Sequence, residues 1–227
     1  FVPIDGEFSA GRYATLAHAE IDELVADGRR PIIVGGTGLY LRAALADLDM
    51  RPPVRAEVRV EVEIEIAERG PEALHAELAP EIASGVHPND RKRIARLTEL
   101  ARLGIAPHGS SEGLWTSELH RPTLLIGLTV ERAELDRRIE ARVRSMVAAG
   151  AEAEVRHAAA AGASRTARAA IGFEQLLRGD VEAMATAQRR FARRQLTWMR
   201  RMPGVAMIDR TGLEDAEAAA RIVERLE

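Results

Sequence analysis

The sequence lacks cysteine altogether, and it also lacks any long apolar run. Without cysteine there can be no disulfide, no catalytic thiol and no zinc–thiolate site. No window approaches the ~20 consecutive apolar residues that a membrane span requires. The first residues, Phe1 to Asp5, show no basic region followed by an apolar stretch, so no signal peptide is evident. These absences predict a soluble, cytoplasmic protein that makes no use of a membrane.

Lysine is nearly absent as well, since Lys92 is the single lysine among 32 basic residues. The others are arginines, which bind phosphate and stack on bases, although codon usage is the simpler explanation of the bias itself. The net charge is −3, so the chain as a whole is not a polycation. Basic residues nevertheless concentrate at 91–96 and at 189–201. Two basic patches on an otherwise acidic chain predict an anionic partner.

The order of the predicted elements is that of an α/β protein with a helical interruption. Short apolar runs, typical of buried parallel strands, are separated by stretches of helical periodicity. The predicted strands are 31–34, 123–128 and 205–208, and the predicted helices outside the interruption are 9–28, 39–48, 131–149, 152–161, 167–177, 181–201 and 213–226. Three strands are few, because the usual sheet has about 5–6. We therefore expect part of the sheet to lie upstream of Phe1.

The interruption starts at Arg51-Pro52-Pro53, where the alternation stops. From there to about Ser117 only helices are predicted, at 56–69, 71–78 and 89–103. A linker at 108–117, rich in glycine and serine, leads back to the core. The sequence therefore predicts an α/β core formed by 1–51 and 118–227, with a helical insertion domain formed by 52–117.

A glycine-rich turn, Gly35-Gly36-Thr37-Gly38, follows the first predicted strand. The carboxyl end of a buried strand is where α/β proteins place their ligands, and the following helix N-terminus favours an anion. Thr37 offers a hydroxyl to a phosphate or a base. The alternative is a tight strand-to-helix turn capped by Thr37, and the spacing alone leaves both interpretations open.

Arginines on two predicted helices are further candidates. Arg138 and Arg142 are spaced i, i+4 and share one face, where they can neutralise a leaving group. A solvated helix surface is the alternative. In Arg193 to Arg200 (RRQLTWMR) the cationic side chains flank an indole, a combination typical of RNA contact. The alternative is that Trp198 belongs to the core. No catalytic triad or metal-ligand spacing is found.

Five motifs follow one another along nearly the whole chain. They are Glu7 to Tyr13, Gly35 to Tyr40, His87 to Arg96 (HPNDRKRIAR), Ala170 to Phe173, and Arg193 to Arg200. In content and order they closely resemble the tRNA dimethylallyltransferase (isopentenyl-diphosphate:tRNA transferase) family. The resemblance implies an α/β fold with a P-loop-kinase-like, three-layer parallel sheet and an α-helical insertion that grips the tRNA anticodon stem-loop.

The resemblance also implies the reaction. A dimethylallyl group passes from dimethylallyl diphosphate to N6 of the adenosine immediately 3′ of the anticodon. That base is flipped out of its stack. Mg²⁺ assists the departure of pyrophosphate. The expected enzyme is a monomer.

Site residues follow from the matching motifs. Thr37 and Arg142 are the expected catalytic residues, Thr37 in the reaction channel and Arg142 on the diphosphate. The expected diphosphate-binding residues are Gly35, Gly36, Thr37, Arg138 and Arg142. The expected tRNA-contacting residues are Arg59, Lys92, Arg93, Ile94, Ala95, Arg96, Ala169, Ala170, Ile171, Gly172, Phe173, Arg193, Arg194, Gln195, Thr197, Trp198 and Arg200.

One departure from the family pattern limits these expectations. Family members begin with a P-loop whose lysine binds the diphosphate, followed by an aspartate that acts as general base. This sequence has neither, because its single lysine, Lys92, lies in the insertion. We therefore expect an N-terminally truncated chain that binds tRNA and lacks efficient transfer. A P-loop-kinase-like phosphotransferase acting on a small molecule and a non-catalytic tRNA-binding remnant stay open as alternatives.

Overall fold

A computed structural model describes residues 2–48, 54–105 and 116–226. The chain divides into two compact units, one formed by Phe1–Leu48 with Leu114–Glu227 and the other by Asp49–Gly113. The predicted break at 51–53 lies outside the described residues, as does the predicted linker at 108–117 except for its last two residues. No helix among the described residues is long and apolar enough to cross a membrane.

The first unit is a mixed α/β structure. Its elements are α1 (Ala10–Ala26), α2 (Gly38–Leu45), β1 (Leu125–Thr129), α7 (Arg132–Ala148), α8 (Ala151–Ala160), α9 (Arg165–Arg168), α10 (Phe173–Leu177), α11 (Val181–Arg201), β2 (Val205–Asp209) and α12 (Asp215–Val223). The second unit contains α3 (Ala56–Arg69), α4 (Pro71–Glu77), α5 (Pro80–Ala83) and α6 (Arg91–Arg102).

The sheet among the described residues consists of β1 and β2, which pair in parallel. Leu125 is opposite Val205 at one end and Thr129 is opposite Asp209 at the other. There is no room for a side chain at Gly127 of β1, because an added Cβ would lie 3.2 Å from the Met199 sulfur of α11. The second and third predicted strands are thus confirmed, and α11 packs against the sheet that they form.

The prediction of a strand at 31–34 is wrong. Residues 31–34 adopt no strand, and the side chains of Ile32 and Val34 are 86% and 89% exposed. A parallel strand needs a hydrogen-bonded neighbour, and within the described part of the chain β1 and β2 pair only with each other. The apolar composition of 31–34 predicted burial, but composition does not supply a neighbouring strand.

The predicted helix at 167–177 is interrupted. Gly172 has φ of +103°, outside the range of a helical residue, so α9 and α10 form instead. Its backbone lies against Met184 of α11, and an added Cβ would be 3.0 Å from the Met184 Cε. Met184 is fully buried, in a cluster with Val143 and Leu176. Gly172 thus turns the chain at a place where no side chain fits.

We expect Gly172→Ala to lower the free energy of unfolding by about 1–3 kcal/mol, because the new side chain adopts a sparsely populated φ and crowds Met184. Gly179→Ala is the matched control, since Gly179 also has a positive φ, +71°, but no atom within 4 Å of an added Cβ. Urea unfolding of both variants measures the difference. Equal losses in the two variants would mean that the Met184 contact contributes nothing.

A polar cluster holds the segment before β1 in place. The rings of His18 and His120 stack with their centroids 4.2 Å apart. The His120 Nδ1 lies 3.0 Å from the Asp47 Oδ1, and its Nε2 lies 3.0 Å from the Asp22 Oδ1. Arg121 donates a hydrogen bond to Asp22, which is the main reason that the pKa of Asp22 is lowered. The cluster therefore joins this segment to α1 and to the end of α2.

The second unit has a core of its own. Val62 and Ile66 of α3, Leu74 of α4, and Ile94 and Ala95 of α6 are all buried and in contact. At the α6 N-terminus the Asp90 side chain accepts a hydrogen bond from the Arg93 N–H at 3.2 Å. Ile94 and Ala95 of α6 therefore face the core, and the neighbouring Lys92 and Arg93 are exposed.

Candidate active site and RNA-binding surface

The glycine-rich turn leads directly into α2, with Thr37 as its N-cap residue. The Thr37 side chain makes no capping hydrogen bond and is exposed. Its hydroxyl is therefore not used by the helix, which removes the capping alternative left open by the sequence. Tyr40, one turn into α2, packs against Tyr13 of α1 with ring centroids 5.2 Å apart. Burial raises the pKa of the Tyr40 phenol, so this side chain is neutral at physiological pH.

The turn is held from the other side by α11. The Gln195 Nε2 donates a hydrogen bond to the Gly36 carbonyl oxygen at 3.0 Å. The indole of Trp198 lies on Gly38, so closely that an added Cβ would be within 3.0 Å of three ring atoms. Gln195 and Trp198, which the sequence predicts to contact tRNA, are thus placed against the turn. The glycines at 36 and 38 are needed because these two side chains occupy the space.

The two candidate arginines of α7 differ in their surroundings. Arg138 forms an ion pair with Glu134, one turn earlier on the helix. Arg142 is exposed, and within the described part of the chain it has no hydrogen-bond or ion-pair partner. Two residues before it, the Glu140 Oε1 accepts a hydrogen bond from the Arg189 Nη2 of α11 at 2.6 Å. Helix α11 therefore contacts both α7 and the glycine turn, and Arg142 presents a free guanidinium to solvent.

A cavity of about 700 Å³ lies between α9, α10 and α11. Four of the predicted tRNA-contacting residues line it, namely Ala169, Ala170, Ile171 and Arg194. Arg178 and Arg190 also line it, and neither is among the site residues predicted from the sequence. For Arg190 the signal was present, because it precedes Arg194 by one helical turn and so shares its face.

Phe173, the last residue of the predicted tRNA-contacting segment 169–173, is packed inside the protein. Phe173 is only 7% exposed, and the Arg168 guanidinium lies 5.4 Å from the centroid of the Phe173 ring.

Glu7, from the first motif, accepts hydrogen bonds from the Arg165 N–H at 3.0 Å and from the Thr166 hydroxyl at 2.5 Å. The first motif thus fixes α9, which leads into the cavity wall.

The basic residues of the second unit are concentrated on α6. Lys92 and Arg93 are exposed, whereas Ile94 and Ala95 are buried in the core with 0% and 6% exposure. Their side chains therefore pack the helix and are not placed to touch RNA. On α11 the exposed residues Arg193, Thr197 and Arg200 follow one another at helical spacing.

Comparisons with known proteins show the family to which the chain belongs. A family model described as IPP transferase matches residues 1–202. The chain belongs to the IPP transferase family. It is 40% identical over 230 residues to the tRNA dimethylallyltransferase of Kineococcus radiotolerans, covering 95% of this chain and 72% of that protein. It is 44% identical over 207 residues to the one of Thermobifida fusca, covering 85% of this chain and 64% of that protein.

Solved structures of IPP transferase relatives are similar as well. The tRNA isopentenylpyrophosphate transferase of Bacillus halodurans matches with a TM-score of 0.63 at 29% identity, over 98% of this chain and 74% of that one. The enzyme of Staphylococcus epidermidis matches with a TM-score of 0.64 at 29% identity, over 99% of this chain and 78% of that one. A eukaryotic dimethylallyltransferase acting on tRNA shares the fold, with a TM-score of 0.75 at 23% identity over 98% of this chain and 62% of that one.

Proposed function

We propose that this IPP transferase moves a dimethylallyl group from dimethylallyl diphosphate to N6 of the adenosine immediately 3′ of the anticodon in tRNA. The observation that carries the proposal is the contact of α11 with the glycine turn. One end of α11 holds the turn through Gln195 and Trp198, and the same stretch exposes Arg193, Arg194 and Arg200. A diphosphate site and an RNA-binding surface therefore share one rigid helix.

The chemistry asks the protein to stabilise the leaving group. The N6 atom forms a bond to the allylic carbon while the bond from that carbon to the diphosphate oxygen breaks, pyrophosphate departs, and the N6 proton passes to the solvent. Negative charge grows on the departing pyrophosphate, and a positioned guanidinium stabilises it. We assign that role to Arg142. Thr37, with the backbone of Gly35 and Gly36, borders the diphosphate, and Arg138 lies one turn before Arg142.

Magnesium, when bound, would neutralise part of the pyrophosphate charge. Mg²⁺ usually takes one or two carboxylates together with substrate phosphates and water. Among the described residues, the group of three His, Asp or Glu side chains close enough to hold an ion is His18, Asp47 and His120. Thr37 of the glycine turn offers a single hydroxyl. These residues do not make a magnesium site on their own, so we derive no step through the metal.

We propose RNA-contacting residues on each of the two units. On the core they are Arg193, Arg194, Thr197 and Arg200 with the cavity segment from Ala169 to Ile171. On the insertion, for which we propose the bounds 52–117, they are Arg59, Lys92, Arg93 and Arg96. We further propose a P-loop-kinase-like, three-layer arrangement for the core, a monomeric state and a cytoplasmic location.

Binding to tRNA gives the first test. We expect the 227-residue chain to bind a tRNA anticodon stem-loop in a filter or anisotropy assay, with log affinity falling linearly against log salt as phosphate contacts are lost. Replacing Arg193 and Arg200 together with alanine should remove two phosphate contacts. The slope of log affinity against log salt should then become shallower by about 1.4, the value for two contacts with a single strand.

Two results would contradict the proposal. Binding that does not depend on salt would mean that the arginines of α11 are not phosphate contacts. Phosphate transfer from ATP to a small metabolite, without binding of RNA, would favour the phosphotransferase instead.

A further inference from the structure

Two histidines of the first unit meet a carboxylate at a place that the proposed reaction does not use. His18 lies on α1, Asp47 lies just past the end of α2, and His120 lies in the segment before β1. One ligand atom from each of the three residues lies within 4.8 Å of the other two. The Asp47 Oδ1 is 3.0 Å from the His120 Nδ1 and 3.7 Å from the His18 Nδ1. Donor atoms from three separate segments therefore lie around one point.

The surroundings of His120 determine which of its ring nitrogens can bind a cation. The His120 Nε2 lies 3.0 Å from the Asp22 Oδ1, and Arg121 donates a hydrogen bond to the same carboxylate. An ionised aspartate only accepts hydrogen bonds, so the proton of a neutral His120 is on Nε2. The Nδ1 lone pair then faces the Asp47 Oδ1 at 3.0 Å. Such a contact is repulsive unless a cation or a second proton lies between the two atoms.

His18 has no hydrogen-bond partner among the described residues. Its Nε2 is buried and unpaired, and the 3.7 Å between its Nδ1 and the Asp47 Oδ1 is too long for a hydrogen bond. Its ring stacks on that of His120, with the two planes only 3° apart. Stacked imidazoles repel each other if both are protonated, whereas metal ligands are neutral imidazoles. A cation shared with Asp47 and His120 would give the His18 Nδ1 a partner.

We propose that His18, Asp47 and His120 form a binding site for Zn²⁺. Imidazole ligands suit zinc, whereas Mg²⁺ prefers oxygen ligands. A tetrahedral Zn²⁺ with bonds of about 2.0–2.1 Å holds its ligand atoms about 3.3–3.4 Å apart, which lies between the 3.0 and 3.7 Å observed here. Three protein ligands leave the fourth position to water. Asp22 would then be the carboxylate that orients a ligating histidine, a common arrangement around zinc.

The ion would have a structural role. The lone pair of an imidazole nitrogen lies in the ring plane, so the two rings must tilt out of their parallel stack to reach one ion. The χ2 torsion of histidine has a broad energy well, and the tilt therefore costs little. The bound ion would join α1, the end of α2 and the segment before β1, which are distant from one another in the sequence. This inference does not rest on the proposed function.

Titration of the chelator-treated 227-residue chain with Zn²⁺ tests the site. The chain has no cysteine, so no thiolate can compete for the metal. We expect one ion per chain by calorimetry, and X-ray absorption should show imidazole nitrogens about 2.0–2.1 Å from zinc. At a free Zn²⁺ concentration of about 100 times Kd, Tm should rise by about 5–10 °C. Mg²⁺ at the same concentration should not reproduce this rise.

Substitutions with matched controls assign the ligands. His18→Asn and Asp47→Asn each remove a ligand, and Asp22→Asn removes the orienting carboxylate. Loss of an orienting partner usually raises the Kd of a metal about 10–100-fold, and we expect at least this rise in all three variants. The Asp47 side chain is 74% exposed, so Asp47→Asn should keep the fold, which circular dichroism checks. His157→Asn and Glu20→Gln change exposed residues elsewhere on the first unit and should leave Kd unchanged.

The alternative is that a second proton, and not a metal, lies between His120 and Asp47. The parent chain would then bind Zn²⁺ no more tightly than Asp47→Asn does, and the inference would be wrong. An equal loss of affinity in His157→Asn would indicate an adventitious ion only, bound by surface histidines, and would also overturn the inference. One tightly bound ion that is lost in the ligand variants and retained in both controls would support it. None of these results depends on transfer to tRNA, so the inference and the proposed function can fail separately.

Discussion

Replacing Arg142 with alanine should lower the rate of dimethylallyl transfer by about 10²–10³-fold, the usual cost of losing one donor that stabilises a developing negative charge. Arg142 is exposed and has no partner among the described residues, so the substitution breaks no contact within the described protein. The free energy of unfolding should therefore change by less than about 0.5 kcal/mol. Single-turnover kinetics with the full-length protein measure the rate.

Two further variants make this prediction specific to the guanidinium. Arg142→Lys keeps the charge but loses the planar fork, and we expect an intermediate rate. Arg144→Ala removes an exposed arginine two residues along α7, which a helix places on a different face, and the rate should stay within about twofold. If Arg144→Ala slows transfer as much as Arg142→Ala, then α7 contributes only a general positive field and Arg142 has no individual role.

Gly38→Ala is the second substitution with a large expected effect. The added Cβ would lie within 3.0 Å of three atoms of the Trp198 ring, and a rigid indole cannot yield by moving one end. We expect the free energy of unfolding to fall by about 1–3 kcal/mol. Because the ring and the turn must separate, Thr37 should also lose its position, so transfer should fall as well. Urea unfolding and the transfer rate measure the two effects.

Gly85→Ala is the control for this prediction, and Trp198→Leu combined with Gly38→Ala tests whether relieving the clash restores stability. At Gly85 an added Cβ would meet its nearest neighbour, the Ile82 carbonyl oxygen, at an ordinary 3.6 Å, so Gly85→Ala should not be destabilising. Adding Trp198→Leu to Gly38→Ala should recover stability relative to Gly38→Ala alone, because the smaller side chain relieves the clash. A Gly38→Ala protein as stable as Gly85→Ala would show that Trp198 does not cover the turn.

Elements defined by local signals could be predicted from the sequence. Helical periodicity with its end signals gave 56–69 and 181–201, and the structure has α3 as Ala56–Arg69 and α11 as Val181–Arg201. Errors arose where the outcome depends on distant residues. The run at 31–34 has the composition of a strand but no pairing partner among the described residues. The helix at 167–177 breaks because Gly172 must avoid Met184, which belongs to another helix.

The candidate site could also be predicted only where local sequence determines it. The motifs predicted site roles for Thr37, Arg142, Arg193, Arg194 and Arg200, and the structure exposes all five side chains. The sequence could not show that Trp198 covers Gly38, since the two are 160 positions apart. It also could not separate Ile94 and Ala95 from their basic neighbours, because a motif does not record which side of α6 faces the core.

The most direct test of the proposed function is to identify the modified nucleoside itself. The full-length protein would be incubated with dimethylallyl diphosphate, magnesium and unmodified tRNA, and the tRNA would be digested for nucleoside and fragment mass spectrometry. We predict N6-dimethylallyladenosine at the position immediately 3′ of the anticodon, strongly reduced in the Arg142→Ala protein. Unmodified tRNA from the parent protein, or a dimethylallyl group on any other nucleotide, would contradict the proposed function.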